Sequence, residues 1–421
     1  MRRIHLVLFL ILGCQLSIVN YSLYAATKPV KVKTLLSDAR AAVKNRSNQA
    51  NAEKKLLENI TREDVKREQQ ADMYFMAQEL ERSLNDAENM KFYLKQPYDT
   101  VKFFSTILLM HEYLLLCDSV ESLPNSKGEL KIRYRNRGRE ILKAYRPNLL
   151  NGGKFLLKRN KYAEAYPYFD MYLRMRQTPF FEGLPDIQND SILPRVAYWA
   201  TISAYDANNP KKALAYIDEA IASADSALRV SLQEYKVRCH EALGNRDAWV
   251  DNLVMGVRQH PAHDYFFLHL MDLYADRKAY DDALNLCDSM LHVVGDRAIY
   301  WYGKSRMFLA KEEYDSCIVV SDQALRLDSQ MVDAYYNKGI ACLNKAVLFA
   351  ETACNDIRNP KCWQDRQTLQ ALYRDALLPM EQVRRMEPEN TKRWASPLYR
   401  IYLYLNMGSE FAEMEKILNA Q

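Results

Sequence analysis

Apolar residues recur at helical spacing along much of the chain, for example over residues 32–43 and 71–84. Residues 32–116 together predict four or five amphipathic helices. Only 12 of the 421 residues are glycine and 14 are proline, whereas a sheet-rich enzyme needs many of both for its tight turns. The pattern therefore predicts an all-α protein, and it argues against a β-sandwich or an alternation of strands and helices.

The helical pattern becomes periodic in the second half of the chain, with a repeat length of about 34 residues. Each period predicts two helices joined by a short turn, and the four clearest segments begin at Val230, Asp264, Ala298 and Val332. Counted from these starts, position 4 is aromatic in three segments, as Phe267, Trp301 and Tyr335. Positions 8, 20 and 27 hold small residues in several segments, namely Ser305, Gly339, Ala283 and Ala324. Small residues there let two antiparallel helices cross closely, so the period predicts stacked helical hairpins.

The period continues upstream, although individual positions vary. Four residues match a segment that opens near Arg146, namely Gly153, Leu156, Ala165 and Phe169. A further unit begins near Arg195, with its register uncertain by one residue. Trp249 and Cys317 replace the small residue at position 20 of two segments. The evidence for the repeat is therefore the constant phase rather than any single motif.

This spacing resembles that of the tetratricopeptide repeat over residues 146–410. The resemblance implies a right-handed superhelical solenoid of antiparallel helix pairs over residues 146–421, with a helical-hairpin insertion near residues 345–370. Residues 26–145 are expected to be divergent helical pairs that continue the solenoid, because terminal repeats must cap an exposed end.

In this family, positions 2, 5 and 9 of each first helix face the concave groove, and that spacing places them on one stripe. The resemblance therefore implies a partner-binding groove that contains Glu234, Arg238, Tyr265, Asp272, Tyr302, Arg306 and Tyr336. Trp199 belongs to the groove or to the core, depending on the register of its unit. Because tyrosine and arginine are frequent binding hot spots, the stripe predicts a site for a protein or peptide. The alternative is that the tyrosines pack between repeats.

Residue patterns typical of catalysis are missing from the sequence. It contains no glycine-rich phosphate loop, no G-x-S-x-G and no H-E-x-x-H. His260, His263 and His269 can in principle bind zinc, but histidines in turns and on helix surfaces are far more common. Fifty-eight basic and fifty-three acidic residues indicate a mixed surface rather than a nucleic-acid site. We therefore predict a non-catalytic protein without a metal or cofactor, and without a nucleic-acid partner.

The N-terminus has the pattern of a secretory signal peptide over residues 1–25. Arg2 and Arg3 precede an apolar run, and a cleavage site follows at Ala25. Alternatively, the residues that end at Cys14 resemble a bacterial lipoprotein box, in which Cys14 would be lipidated. Either interpretation places the mature chain in the periplasm or at the outer membrane. An exported chain can also bridge Cys354 and Cys362, which flank a polar loop.

Two functions remain open from the sequence. The first is an exported scaffold that binds another protein or a peptide in its concave groove. The second is a carbohydrate-binding envelope lipoprotein on a tetratricopeptide-like scaffold, in which aromatic platforms would bind sugar rings. Such glycan-binding proteins usually carry several loop-rich insertions, and this sequence has one long loop, residues 178–193.

Overall fold

The computed structural model describes residues 29–124, 128–354, 356 and 358–420. Within these ranges the chain forms twenty α-helices and one short 3₁₀ helix, and contains no strand. The prediction of an all-α fold is confirmed. The signal peptide predicted over residues 1–25, with its alternative lipidation site at Cys14, lies outside the described residues.

The first part of the described chain consists of long helices. They are α1 (Val32–Asn45), α2 (Gln49–Asn59), α3 (Arg67–Tyr93), α4 (Thr100–Glu121), α5 (Arg135–Leu157), α6 (Tyr162–Arg174) and the short α7 (Pro185–Gln188). Contacts divide the chain into two compact units. The N-terminal unit comprises the described residues up to Phe155 together with Asp170–Gln188, and the C-terminal unit comprises the remainder. The boundary expected after residue 145 thus lies inside α5, which is one continuous helix.

The core of the N-terminal unit forms because each helix has one apolar face. In α1, the buried residues Val32, Leu35, Leu36, Ala39 and Ala42 follow the spacing of a single helical stripe. They pack with side chains of α2, α3 and α4 in one apolar cluster. The start of α4 is set by a cap, because the Asp99 carboxylate accepts a hydrogen bond from the Lys102 backbone N–H at 2.9 Å.

Helix α4 is the most apolar helix of the described residues. By length and composition it alone among them could cross a membrane, but 44% of its most apolar stretch is buried inside the fold. Ile107, Met110 and Leu114 are completely buried, and α4 packs along α3. His111 is also completely buried, and burial lowers the pKa of its imidazole to about 4. These contacts are those of a core helix.

The C-terminal unit continues as consecutive helix pairs. Its helices are α8 (Leu193–Asp206), α9 (Pro210–Ala213), α10 (Ile217–Ser223), α11 (Ser226–Ala242), α12 (Arg246–Gln259), α13 (Asp264–Asp276), α14 (Tyr280–Val294), α15 (Ala298–Ala310), α16 (Tyr314–Leu327), α17 (Val332–Thr352), α18 (Pro360–Met386), α19 (Thr391–Leu405) and α20 (Gly408–Asn419). Each pair joins a first helix to a second helix through a short turn.

The helix boundaries confirm the predicted repeat register. Helices α13, α15 and α17 begin at the three predicted residues, and the second helices α12, α14 and α16 follow one another at the same period. Helix α11 begins four residues earlier than Val230. The reason is a cap, since the Asp225 carboxylate accepts a hydrogen bond from the Leu228 N–H at 2.9 Å. The second helix of the preceding unit, expected to be continuous, is interrupted between α9 and α10.

The small residues lie where the helices cross, as the spacing implies. Ala283, Cys317 and Ala324 have no exposed surface. At Gly339, a Cβ atom would lie only 2.5 Å from the sulfur of Met380, so the backbone of α17 approaches α18 too closely for a side chain. Trp249, at the equivalent of a crossing position, is half-buried and is accommodated at the edge of the contact.

The insertion expected near residues 345–370 lies between α17 and α18. Helix α17 extends to Thr352 and α18 runs from Pro360 to Met386, so both are longer than the helices of the preceding repeats. As a result, the next first helix begins at Thr391, well beyond one period after Val332. Cys354 and Cys362, at the connection, are free thiols in the structure and are partly exposed. Their disulfide stays a prediction.

The segment expected to be a long loop begins as a packed element. Phe180 and Phe181 are buried in the N-terminal unit, and the backbone oxygen of Phe180 accepts a hydrogen bond from Arg139 Nε at 2.6 Å. Helix α7 follows directly. Because two phenyl rings fix the segment to the core, its first half contributes to stability rather than forming an open binding loop.

Candidate functional site

The predicted groove residues lie on consecutive first helices of the C-terminal unit. We call Glu234, Arg238, Tyr265, Asp272, Tyr302, Arg306 and Tyr336 the first-helix stripe; they belong to α11, α13, α15 and α17. Each of them is half-buried or exposed. The buried residues of the same helices, for example Phe267 and Met307, point to the apolar core. Tyr265 and Tyr336 also pack against the apolar clusters of these repeats, so the stripe lies at the edge of the core rather than apart from it.

The first group of the stripe joins α11 to α13. Arg238 forms an ion pair with Glu234 one turn earlier. Its guanidinium carbon lies 5.2 Å from the centroid of the Tyr265 ring, at a cation–π distance. Glu234 also faces His263, with 3.2 Å between its Oε2 and the imidazole Nε2. Partial burial raises the pKa of Tyr265, so its phenol stays protonated at neutral pH and can donate a hydrogen bond.

The second group joins α13 to α15. Arg306 donates a hydrogen bond to the carboxylate of Asp272, which occupies the same position one repeat earlier. Tyr302 lies one turn before Arg306 and is half-buried. Burial raises the pKa of the Tyr302 phenol, and the nearby Asp333 carboxylate raises it further. This group therefore presents a neutral phenol beside a pair of opposite charges.

The third group joins α17 to α19. The guanidinium of Arg393 lies 4.4 Å from the centroid of the Tyr336 ring, and its Nη2 donates to Asp333 Oδ1 at 2.7 Å. Arg393 also bonds Glu387 at 3.1 Å. Sequence reasoning missed Arg393 because the insertion between α17 and α18 shifts it out of the repeat phase. A count restarted at α19 places Arg393 at position 3, outside positions 2, 5 and 9, so only the folded chain shows its contact with Tyr336.

The aromatic surface extends upstream of the stripe. Tyr205 of α8 stacks on Tyr235 of α11, with ring centroids 4.4 Å apart and planes 29° apart. Tyr205 also lies close to Arg238, which connects these rings to the first group. Trp199, which the sequence left between groove and core, is half-buried and lies 5.7 Å from the ring of Phe169. It therefore packs between helix pairs.

A second set of charges links consecutive repeats outside the stripe. Lys304 Nζ lies 2.7 Å from Asp288 Oδ1, and one period later Lys338 lies 2.6 Å from Asp322. Lys311–Asp281 and Lys345–Asp315 form another such series. Recurrence of lysine and aspartate once per period was visible in the sequence and would have revealed these pairs. As partly exposed ion pairs, they contribute roughly 0–1 kcal/mol each to stability.

The three clustered histidines contact the same two aromatic rings, Tyr265 and Phe266. The His260 ring stacks near Phe266 at 6.1 Å, and His263 faces Glu234. His269 Nδ1 lies 2.8 Å from the backbone oxygen of Tyr265. In the part of the chain that the structure describes, no three histidine, cysteine, aspartate or glutamate side chains form a group that could hold a metal ion.

The stripe combines large aromatic rings with charges that are paired and only partly buried. Such ion pairs contribute only about 0–1 kcal/mol each to stability. A charged group of a ligand can therefore replace one partner with little loss of stability. Tyrosine rings supply contact area with few side-chain torsions to restrict. The arrangement is suited to recognising a surface or segment that carries charges of both signs.

No protein-family model matches the sequence, and no curated protein does. Among solved structures, the chain is similar to the C-terminal part of a TPR repeat-containing protein from Cytophaga hutchinsonii, at 11% identity and a TM-score of 0.40 over 63% of this chain and 92% of that one. A TPR repeats protein from Bacteroides fragilis is similar at 16% identity and a TM-score of 0.30, over 62% and 96% of the two chains. The TPR domain of P58(IPK) is similar at 10% identity and a TM-score of 0.30, over 90% and 99%.

The helix boundaries and helix crossings of the chain itself identify its fold. Helices α13, α15 and α17 begin one period apart, as do α12, α14 and α16. Small residues lie buried at the crossings of these helices, and an aromatic residue occupies position 4 of three first helices. These features are those of the tetratricopeptide-repeat fold.

Proposed function

We propose that the protein is an exported, non-catalytic scaffold that binds a segment of another protein along the first-helix stripe. The observation that carries this proposal is the recurrence of one type of contact along the stripe. In each of its three groups, at α11–α13, α13–α15 and α17–α19, an arginine contacts a stripe residue of another first helix.

The chemistry of the stripe favours a polypeptide ligand. Rings and charges recur once per repeat, so an elongated ligand can make the same type of contact several times. Arginine and tyrosine are the side chains most often found at protein-binding hot spots. The acidic and basic side chains of the stripe pair with one another, as Glu234 with Arg238 and Asp272 with Arg306. Paired in this way and partly exposed, they can exchange partners with the charged side chains of a ligand.

Export is the second part of the proposal. Its support is the sequence of residues 1–25, in which two arginines precede an apolar run and a small residue at the cleavage position. Cleavage at Ala25 would release the chain into the periplasm. Lipidation of Cys14 would instead attach it to an envelope membrane.

A cross-linked pull-down from envelope fractions of the source cell tests this function. We expect the wild-type chain to capture a discrete protein, and Tyr302→Ala/Arg306→Ala to reduce its recovery about tenfold or more, because hot-spot truncation typically costs at least about 2 kcal/mol. Both side chains are partly exposed, so the double variant should keep the wild-type melting temperature.

The matched control is Lys304→Ala/Lys338→Ala, which removes two cations from inter-repeat ion pairs outside the stripe. This variant should capture the partner as the wild type does. Two results would contradict the proposal, because each places binding on another face. Either the stripe variant recovers the partner as well as the wild type does, or recovery depends on the control lysines instead.

A further inference from the structure

A cluster of aromatic rings is exposed around the connection between α3 and α4. Phe92 is 55% exposed and Tyr93 is 76% exposed. The rings contact one another, with centroids 5.5 Å apart for Phe92 and Tyr98 and 6.2 Å apart for Tyr98 and Phe103. Rings of this size are normally buried, so their joint exposure marks a surface with a use beyond folding.

These rings form one wall of a cavity of about 380 Å³ in the N-terminal unit. The opposite wall comes from α5, which contributes Tyr145, Asn148 and Asn151. Of the ten residues that line the cavity, six are aromatic and four are asparagine, and none is charged. Apolar rings with a few converging polar groups are the usual composition of a small-molecule site.

Three of the four amides are available to a ligand. Asn85 is occupied, since its Nδ2 donates to Phe103 O at 2.7 Å and to Thr106 Oγ1 at 2.9 Å and thereby holds α3 to α4. Asn151 and Asn148 are joined only by a long bond of 3.4 Å. The half-buried Asn89 makes no hydrogen bond to another described side chain. Each amide offers a donor and an acceptor on adjacent atoms.

The charges next to the cavity contact protein groups outside its lining or at its edge. Glu88 accepts a hydrogen bond from Lys91 at 2.9 Å and lies 3.7 Å from the amine of Lys102. Asp86 accepts a hydrogen bond from the Tyr145 hydroxyl at 3.3 Å. The ten residues that form the lining carry no charge, so the lining suits a neutral polar ligand.

We infer that this cavity binds a neutral saccharide. The C–H face of a pyranose ring packs on the exposed ring of Phe92 or Tyr93, and its neighbouring hydroxyls exchange hydrogen bonds with the amides of Asn89, Asn148 and Asn151. A sugar ring pairs an apolar C–H face with a rim of hydroxyls, which matches this lining of aromatic rings and amides. The site is built from α3, α4 and α5, and it is separate from the first-helix stripe.

Affinity electrophoresis of the full chain in gels that contain mannan, dextran, soluble starch, xyloglucan or galactomannan tests this inference. We expect at least one of these neutral polysaccharides to retard the wild-type chain. Phe92→Ala/Tyr93→Ala and, separately, Asn148→Ala/Asn151→Ala should each weaken the affinity about tenfold at an unchanged melting temperature. Trp363→Ala is the matched control, because that ring is 65% exposed at the start of α18, and it should bind like the wild type.

Three outcomes would overturn the saccharide assignment. In the first, none of the five polysaccharides retards the wild-type chain. In the second, the cavity variants are retarded as strongly as the wild type. In the third, the same rings bind a polyproline peptide and the chain binds no glycan. The result is independent of the pull-down, since the cavity variants leave Tyr302 and Arg306 unchanged.

Discussion

Replacing Gly256 by alanine is expected to lower the free energy of unfolding of the C-terminal unit by about 1–3 kcal/mol. A Cβ atom at this position of α12 would lie within 2.7 Å of three carbons of the Phe266 ring on α13. Phe266 has no exposed surface and is enclosed by a cluster that includes Leu253, Leu270 and Tyr300. Because the ring has no free volume to enter, the two helices must separate.

Gly408→Ala provides the control for this substitution. Gly408 is the first residue of α20, and nothing lies within 4 Å of a Cβ atom built there. Alanine has the higher helix propensity, so this variant should be as stable as the wild type or slightly more so. Urea denaturation followed by circular dichroism compares the two. Equal midpoints for Gly256→Ala and the wild type would show that α12 and α13 do not cross at this glycine.

The stability of the N-terminal unit is expected to fall as the pH rises from 5 toward 9. Glu81 of α3 is 3% exposed, and its carboxyl group lies next to that of Glu53 on α2. Glu53 in turn accepts a hydrogen bond from the Tyr113 hydroxyl of α4 at 2.6 Å. Burial, followed by the Glu53 carboxylate, raises the pKa of Glu81 to about 9, and Lys102 offsets this only in part.

The sign follows from proton linkage. The folded chain keeps the Glu81 proton up to about pH 9, while an unfolded glutamate releases it near its ordinary value of 4.5. The contribution of protonated Glu81 to the free energy of unfolding is therefore complete below pH 4.5 and is lost progressively as the pH rises toward 9.

Glu81→Gln removes this titration and keeps a donor toward Glu53. At pH 8 the variant should be more stable than the wild type by on the order of 1–3 kcal/mol, and the two should converge near pH 4.5. Urea midpoints measured between pH 5 and 9 test this. Glu58→Gln on α2, which replaces an exposed carboxylate paired with Lys54, should follow the wild-type curve. Parallel curves for Glu81→Gln and the wild type would contradict a protonated Glu81.

Helix content and repeat phase could be predicted because both depend on local spacing. The apolar stripe of α1 and the starts of α13, α15 and α17 follow from residues a few positions apart in the chain. Positions of the stripe followed from the same period, so Tyr265, Tyr302 and Tyr336 were identified before their contacts were known. Where a cap changed a boundary, as Asp225 does for α11, the error was a single helical turn.

Contacts between residues far apart in the chain could not be predicted in this way. Only the folded chain brings Arg393 onto the Tyr336 ring across the insertion, places Glu81 against Glu53, and buries Phe180 and Phe181. The aromatic cavity of the N-terminal unit likewise joins rings at the end of α3 to amides of α5. Periodicity states which face of a helix is apolar, but which faces meet depends on side-chain packing in three dimensions. The sequence thus determined the helices and their phase, while tertiary packing decided which charges pair and where a ligand can bind.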